Sequence, residues 1–383
     1  MAKILLPTPD APPKLGGVAR YIGATARARN DIEIDALPES WGTMRVFLHL
    51  FRHSGESRNP AHRENVGPRV EPGVTNIWTH HIFPVGTVCY LLSFISPLSY
   101  TVFLHGLDFD LARRNVWKRF LARRILKGAS GIVANSVSLQ KEVSAFVHRD
   151  DIQIVYPCVS AEFTKASETV RKGLAHRTPE ELAKLFMSQM VAMTGSGISA
   201  SRHLGMTNPV RLLTVARLVE RKGHAKVLRA MVDIPKITYT IIGDGPMRES
   251  LKKEAEELGV ADRVSFLTEV TDEQLPELYA AHDIFVMPTT KSERDREGFG
   301  IVYAEAGLFG LPCIATDIPG VDEVVLHEVT GMLIQDTPHA LSEALKKLAA
   351  SPGLRSRMGT AARKYILENF TEERFREAIG KVR

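Results

Sequence analysis

Cysteine is scarce: Cys89, Cys158 and Cys313 are the only three in 383 residues. Their spacing matches no metal motif and three thiols cannot all pair. That excludes a disulfide framework and points to a reducing compartment. Long apolar runs are missing as well. The longest apolar region, Pro84 to Leu104, is interrupted by Gly86, Pro97 and several serines, so it reads as helix, turn and strand rather than a membrane span. The opening Met1-Ala-Lys-Ile-Leu-Leu6 carries one charge and a very short apolar run, which predicts no signal peptide. Neither half supplies Gly-x-Gly-x-x-Gly at the start of a helix. Gly16-Gly17 and Gly243-Asp-Gly245-Pro246 both miss that spacing, which speaks against a Rossmann-fold oxidoreductase.

What is present is ordinary in bulk. Apolar content of 44% and charged content of 24% suit a globular chain, and its length suits two domains with ample core. The net charge of +5 permits an acidic ligand or a membrane surface without demanding either. No nucleic-acid partner is expected.

One stretch stands out, Glu297-Gly-Phe-Gly-Ile-Val-Tyr-Ala-Glu305. The apolar run Ile284–Met287 before it predicts a buried strand, and Pro288–Arg296 a polar loop. From Ile301 the spacing turns helical. A strand, a loop with two glycines and a helix start make an anion site, because free N–H groups and the macrodipole both favour negative charge there. Two carboxylates are out of place in a pure phosphate site, but they accept hydrogen bonds from hydroxyls. Amides for phosphate and carboxylates for hydroxyls suit a sugar nucleotide. On this stretch alone, a surface loop with an amphipathic helix explains the pattern equally well.

The rest of the chain alternates strand and helix. Lys3–Leu6 is a strand, and Gly16-Gly17-Val18 opens a helix towards Arg29. Ile32–Ile34 is the next strand. Phe51–Gly73 is polar, without period, and resembles translated genomic repeat elements; it reads as an insertion or a disordered loop. Asn76–Trp78, a helix near Val85–Phe94, and the strand Tyr100–Leu104 follow. That strand ends at His105-Gly-Leu-Asp108, a polar cluster where open α/β sheets place ligands. Leu111–Lys127 reads as one basic amphipathic helix, which either lies on an anionic membrane or simply solvates a basic face. Gly131–Ala134 with Asn135-Ser136 is a strand and a helix cap, and Ile152–Val155 closes the first half. Ser160–Thr207 reads as irregular, with a helix near Pro179–Met193 and a linker composition at Thr194–Ser201.

The second half repeats the plan more cleanly. Strands are expected at Val210–Val215, Ile237–Ile242, Val264–Leu267, Ile284–Met287 and Pro312–Thr316. Helices are expected after Arg217–His224, at Met247–Leu258, at Asp272–Ala281 capped by Thr271, at Pro338–Ala349 and at Gly353–Glu368. Two doubly wound α/β domains with parallel sheets and a ligand cleft between them are the outcome.

With Arg217, Lys222, Gly243-Asp-Gly-Pro246 and Glu297…Glu305 laid out, the chain resembles the retaining GT-B glycosyltransferases of family 4, the glycosyl transferases group 1. That family includes sucrose, mannosyl and lipopolysaccharide-core transferases. The likeness runs through Val210–Phe370 and is carried in the first half by Gly16-Gly17, His105-Gly106 and Asn135-Ser136. The chain departs from the family at Pro157-Cys-Val159, where Pro-Asn-Gly is usual.

The resemblance implies an acceptor-side domain over 1–160 and a linker or insertion over 161–207. It also implies a nucleotide-sugar domain over 208–370, with the C-terminal helix 371–383 packing back on the first domain. Arg217 and Lys222 resemble the pair that grips the donor diphosphate, stabilising charge on the departing oxygen. Gly298, Phe299, Gly300 and Ile301 would offer amides to the phosphates. Glu305 resembles the ribose-binding carboxylate, and Glu297 the one that meets donor-sugar hydroxyls near the reacting carbon. His105 resembles a histidine that touches the donor sugar, with Asp108 assisting. Gly16, Gly17 and Gly243 would let backbone approach the donor, and Leu267 lies where the family contacts the base.

The implied reaction attacks from the leaving-group side through an oxocarbenium-like state, with no metal required because two cations serve the diphosphate. The donor would be a UDP-, GDP- or ADP-linked sugar and the acceptor a glycan, a lipid-linked or a small molecule. The implied setting is cell-envelope polysaccharide synthesis, cytoplasmic, with possible peripheral contact with the inner membrane face through 111–127. A catalytically impaired nucleotide-sugar-binding protein is the alternative.

Overall fold

Short apolar runs bounded by glycine, proline and polar residues pair as parallel strands, and the periodic segments between them return the chain across the sheet faces. The computed structural model describes residues 3–10, 17–38, 74–96, 98–174, 209–290 and 297–382, together with 43, 45–46 and 49–50. Gly16, the insertion expected over 51–73, the helix expected near 179–193 with its linker, and the run Lys291–Arg296 lie outside the described residues. Contacts divide the chain into two units. One holds the described parts of Met1–Cys158, Glu293–Phe299 and Glu372–Arg383; the other holds those of Val159–Ser292 and Gly300–Thr371.

In the first unit, β1 (Lys3–Thr8), β2 (Ile32–Ala36), β3 (Val74–Thr79), β4 (Ser99–Leu104), β5 (Gly131–Ala134) and β6 (Gln153–Ile154) pair in the order β2-β1-β3-β4-β5-β6. Every pairing is parallel. Helices α1 (Gly17–Ala28), α2 (Thr87–Leu92), α3 (Leu107–Arg113), α4 (Val116–Gly128) and α5 (Val137–Val147) cover it. Alternate residues of each strand enter different cores, as a two-residue period requires. Ile4, Leu6, Trp78, Phe103 and Val133 pack with Tyr21 of α1 and with Phe375 and Ile379 of the C-terminal helix, Glu372–Gly380. Leu5, Ile77, Val102, Leu104 and Ile132 pack with Ile125 of α4 and Val143 of α5. Residues 111–127 form two helices, not one. Asn115 is extended (φ −132°, ψ 147°) and its side chain accepts from Lys118 N; a side-chain acceptor at that position starts a new helix.

In the second unit, α6 (Ala161–Leu174) precedes β7 (Val210–Val215), α7 (His224–Met231), β8 (Ile237–Ile242), α8 (Arg248–Glu257), β9 (Val264–Leu267), α9 (Leu275–Ala280) and β10 (Ile284–Met287). Then come α10 (Ile301–Leu308), β11 (Cys313–Thr316), β12 (Gly331–Ile334), α11 (Pro338–Ala350) and α12 (Pro352–Asn369). The strand order is β12-β11-β10-β7-β8-β9. The chain starts mid-sheet at β7, winds one way to β9, then restarts beside β7 at β10. Both sheets are therefore doubly wound, the fold class expected.

Three further local features differ from expectation. Residues 161–174, expected to begin a linker, form α6, which packs on α9. α9 starts at Leu275 rather than after Thr271, with Pro276 in its first turn, where the missing N–H costs nothing. The short strand β12 was not expected.

Candidate functional site

An open parallel sheet offers a ligand crevice where the winding reverses, at the carboxyl ends of the two strands that flank the reversal. In the second unit those strands are β7 and β10. Three loops meet there. Leu218 N donates to Asp244 O (3.0 Å) and Met247 N to Leu218 O (3.0 Å), joining the loops after β7 and β8. Thr290 N donates to Arg221 O (2.7 Å), joining the loop after β7 to that after β10. Glycine is required at both seams. A Cβ on Gly243 (φ +133°) would sit 2.2 Å from Ala216 O, and one on Gly223 (φ +76°) 2.3 Å from Pro288 O.

The loop after β7 carries both expected cations. Arg217 is exposed, whereas Lys222 is buried in a single helical turn, Glu220–Lys222. A buried brace holds this loop, and the sequence reading missed it. His224 Nε2 lies 3.3 Å from Arg217 O and its Nδ1 3.3 Å from Tyr239 Oη; Tyr239 Oη is 2.8 Å from Thr214 Oγ1. Burial first, then Lys222, pulls the His224 pKa down to about 4, against the partial opposition of its bond to Arg217 O. The ring is therefore neutral near pH 7. In that state Nε2–H donates to the Arg217 carbonyl, which leaves Nδ1 unprotonated beside the Tyr239 hydroxyl.

α10 begins at the same strand end. Gly300 is left-handed (φ 74°, ψ 69°) ahead of Ile301, and Tyr303 Oη donates to Met287 O (2.7 Å). Glu305 is buried on this helix and its Oε2 accepts from Tyr279 Oη at 2.9 Å. Thr289, fully buried just past β10, has a hydroxyl without a partner among the described residues. Leu267 ends β9, its carbonyl accepting from Gly243 N at 2.9 Å. The second unit thus gathers Arg217, Lys222, Gly243, Leu267, Gly300, Ile301 and Glu305 at one edge of its sheet.

The first unit gathers the others at the edge of its own sheet. His105 follows β4, and its N–H donates to Asp108 Oδ1 (3.1 Å). Gly298 packs there so closely that a Cβ would lie 2.5 Å from His105 O and 3.2 Å from Asn135 Nδ2. Phe299 is buried with its ring 5.7 Å from that of Tyr156, and Glu297 is half-buried. Of the early glycine pair, Gly17 begins α1.

His105 has a partner that sequence reading passed over. His80, in the Trp78-Thr-His-His81 run, sets Nδ1 2.8 Å from His105 Nε2. The two rings are stacked at 5.1 Å and 12°, with Tyr21 edge-on to both. Burial, then the neighbouring His81, lowers the His105 pKa to about 3, and burial holds His80 well below the usual imidazole range. Both rings are neutral, so one proton serves their shared bond. Burial also pushes the Asp108 carboxyl up to about 6. Asp108 and Asp110 have the Asp-x-Asp spacing of a metal motif, but Asp110 pairs with Arg113 at 2.6 Å. Among the described residues no cluster of three metal-ligating side chains occurs.

Comparison with known proteins agrees with this architecture. HepE of Anabaena, solved with UDP, superposes with a TM-score of 0.74 at 17% identity over 100% of this chain and 99% of its own. The fold is that of the GT-B glycosyltransferases. Residues 201–365 match the family described as glycosyl transferases group 1. A GDP-mannose-dependent alpha-(1-6)-phosphatidylinositol monomannoside mannosyltransferase of Mycolicibacterium smegmatis is 37% identical over 166 residues, 42% of this chain and 44% of that relative. The protein of the same description from Mycobacterium tuberculosis is 26% identical across 96% of this chain and 94% of its own. The better-conserved match thus spans less than half the length of its relative. Residues 201–365 thus resemble the glycosyl transferases group 1 family, a match to less than half of the chain.

Proposed function

We propose that the chain is a glycosyltransferase that moves a hexosyl group from a nucleoside diphosphate sugar to an acceptor hydroxyl, with retention of anomeric configuration. The observation that carries the reading is the reversal point of the second sheet, where a buried lysine, a helix start and a buried glutamate share one strand end. Arg217 and Lys222 take the diphosphate and the first amides of α10 assist them. Glu305, about 6 Å further along the helix axis, takes the ribose hydroxyls. Cations placed where the leaving group gathers charge lower the barrier without a metal. His105 and Glu297 are assigned to hydroxyls of the donor sugar.

GDP-mannose is the first donor to test, because the mannosyltransferase relatives are named for it. A thermal-shift series with GDP-mannose, UDP-glucose and ADP-glucose, followed by nucleoside diphosphate release, checks the proposal. Stabilisation by one of them with slow release supports it; no shift with any of the three removes it.

The acceptor is proposed to be glycan or lipid-linked, reached by contact with an anionic membrane. No helix among the described residues is long and apolar enough to cross a membrane. The first unit nonetheless shows Phe94 (69% exposed), Ile95, Val116, Trp117 (79%) and Phe120 to solvent. α2, which leads to Phe94, packs on α4. Lys118, Arg119, Arg124 and Lys127 are exposed on α4, which has no acidic residue. Aromatic side chains within a one-signed basic field suit an anionic lipid surface. Salt-sensitive sedimentation with phosphatidylglycerol vesicles is expected, and no binding at low salt would remove the membrane part.

A further inference from the structure

A carboxylate that recognises ribose must point in one direction, and a glutamate side chain has three torsions through which to lose it. Glu305 is held at its far end. Its Oε2 accepts from Tyr279 Oη at 2.9 Å, with both residues buried. Fixing one oxygen fixes the plane of the group and so the direction of the other. The donor is also electrically neutral. A phenol orients the carboxylate without neutralising it, as a lysine or arginine in its place would.

Tyr279 is itself clamped. Its ring stacks on Phe309 (5.5 Å, 12°) and meets Phe163 edge-on (5.8 Å, 90°), while Phe163 meets Phe309 at 5.4 Å and 78°. Phe309 follows α10, and Phe163 comes from α6. Such aromatic contacts restrict ring orientation at little entropy cost.

We infer that Tyr279 is a positioning residue that aims Glu305 at the ribose hydroxyls of the nucleotide, with Phe163 of α6 holding Tyr279 from behind. The inference rests on the reading of Glu305 as the ribose ligand. A site that hydrogen-bonds a ligand hydroxyl through a buried charge discriminates strongly against the deoxy analogue, which leaves that charge unpaired.

The test is calorimetric titration of the full chain with GDP and UDP, and with the 2′-deoxy and 3′-deoxy forms of the tighter one. The unaltered protein is expected to favour ribose over at least one deoxy form by about tenfold or more. Tyr279→Phe keeps the ring and is expected to cut that preference to about threefold or less, by weakening the ribose compound and leaving the deoxy compound nearly unchanged. A full preference in Tyr279→Phe overturns the positioning role while the ribose reading of Glu305 stands. No preference in the unaltered protein overturns both. If Tyr279→Phe fails to fold, Phe163→Leu carries the test: it must lower the same ratio, and an unchanged ratio overturns the inference.

Discussion

At the reversal point of the second sheet the loops carry Arg217 and Lys222, with Glu305 on α10. At the carboxyl edge of the first sheet the strand ends carry His80 and His105, held neutral, and Asp108, whose pKa burial raises to about 6. The winding rule is shared, since each sheet pairs six parallel strands among the described residues. What differs is charge. A sheet edge decides where a ligand goes; the side chains decide whether it is an anion or a neutral polyol. The second unit carries the cations that the proposed diphosphate would need. The first sets the neutral His80 and His105 rings beside the Asp108 carboxyl at its edge and exposes Lys118, Arg119, Arg124 and Lys127 on α4.

The sharpest way to break this contrast is to remove the buried cation. Lys222→Ala is expected to lower kcat/KM by about 10²–10³, the usual size of losing one preorganised group that faces developing charge. Circular dichroism should show the protein still folded. His105→Asn keeps a neutral hydrogen-bonding group in the first unit and should cost less. If the two losses are reversed in size, the charge contrast does not reflect the chemistry.

A second break concerns the seams. Gly223→Ala must accept a left-handed backbone and a Cβ 2.3 Å from Pro288 O. The two penalties together come to about 3 kcal/mol, measurable by urea unfolding. In the first unit Gly298→Ala meets His105 O at 2.5 Å without a left-handed φ recorded there, so a smaller loss is expected. Equal losses would mean that the loops after β7 and β10 yield more readily than their hydrogen bonds imply.

How far these features could be read beforehand follows from their range along the chain. The six residues of β8 are all buried, and a short, wholly apolar run is legible as a central strand. Glu305 and Lys222 were legible because the loop, the helix start and the spacing are local. Strand order was not, because it joins β7 to β10 across about 70 residues of sequence. Tyr279 escaped because nothing local links it to a glutamate 26 positions away. His80 escaped because a histidine after a strand carries no period. α6 reads as linker because its composition, Ala-Glu-Phe-Thr-Lys-Ala-Ser-Glu-Thr-Val-Arg-Lys-Gly-Leu, is mostly polar; its apolar anchor, Phe163, finds its partners only in the folded unit.

Acid separates the units next. The His224 pKa falls from 6.5 to about 4 on folding. Between those values the unfolded chain binds a proton that the folded chain does not. Stability is therefore full above about pH 6.5 and is lost as pH falls towards 4. His224→Gln, which can still donate to Arg217 O, is expected to shrink the stability loss between pH 7 and pH 4.5 by about 2–3 kcal/mol. Asp108 has the opposite sign. Its pKa rises from 3.8 to about 6, so the folded chain holds the extra proton and its contribution is lost as pH rises through 6. Asp108→Asn should therefore steepen the acid loss. The same direction of change in both variants would undo the contrast.

The smallest effect expected is on the fold when the exposed apolar face is made polar. Trp117 is 79% exposed and Phe120 54%, so neither removes much apolar surface from water, and surface substitutions away from caps and cores stay within about 0.5 kcal/mol. Trp117→Ser with Phe120→Ser should cost no more than about 1 kcal/mol in urea unfolding while weakening adsorption to phosphatidylglycerol vesicles. Arg124, stacked over Phe120 at 5.3 Å, loses a cation–π contact worth about 0.5–1 kcal/mol at an exposed site, and that is the only folded-state cost foreseen. A larger loss would mean that these side chains serve the packing of the first unit. An unchanged vesicle affinity would leave the basic residues of α4 as the sole basis for adsorption. Its salt dependence would then account for the whole affinity, which separates a charged surface from an inserted one.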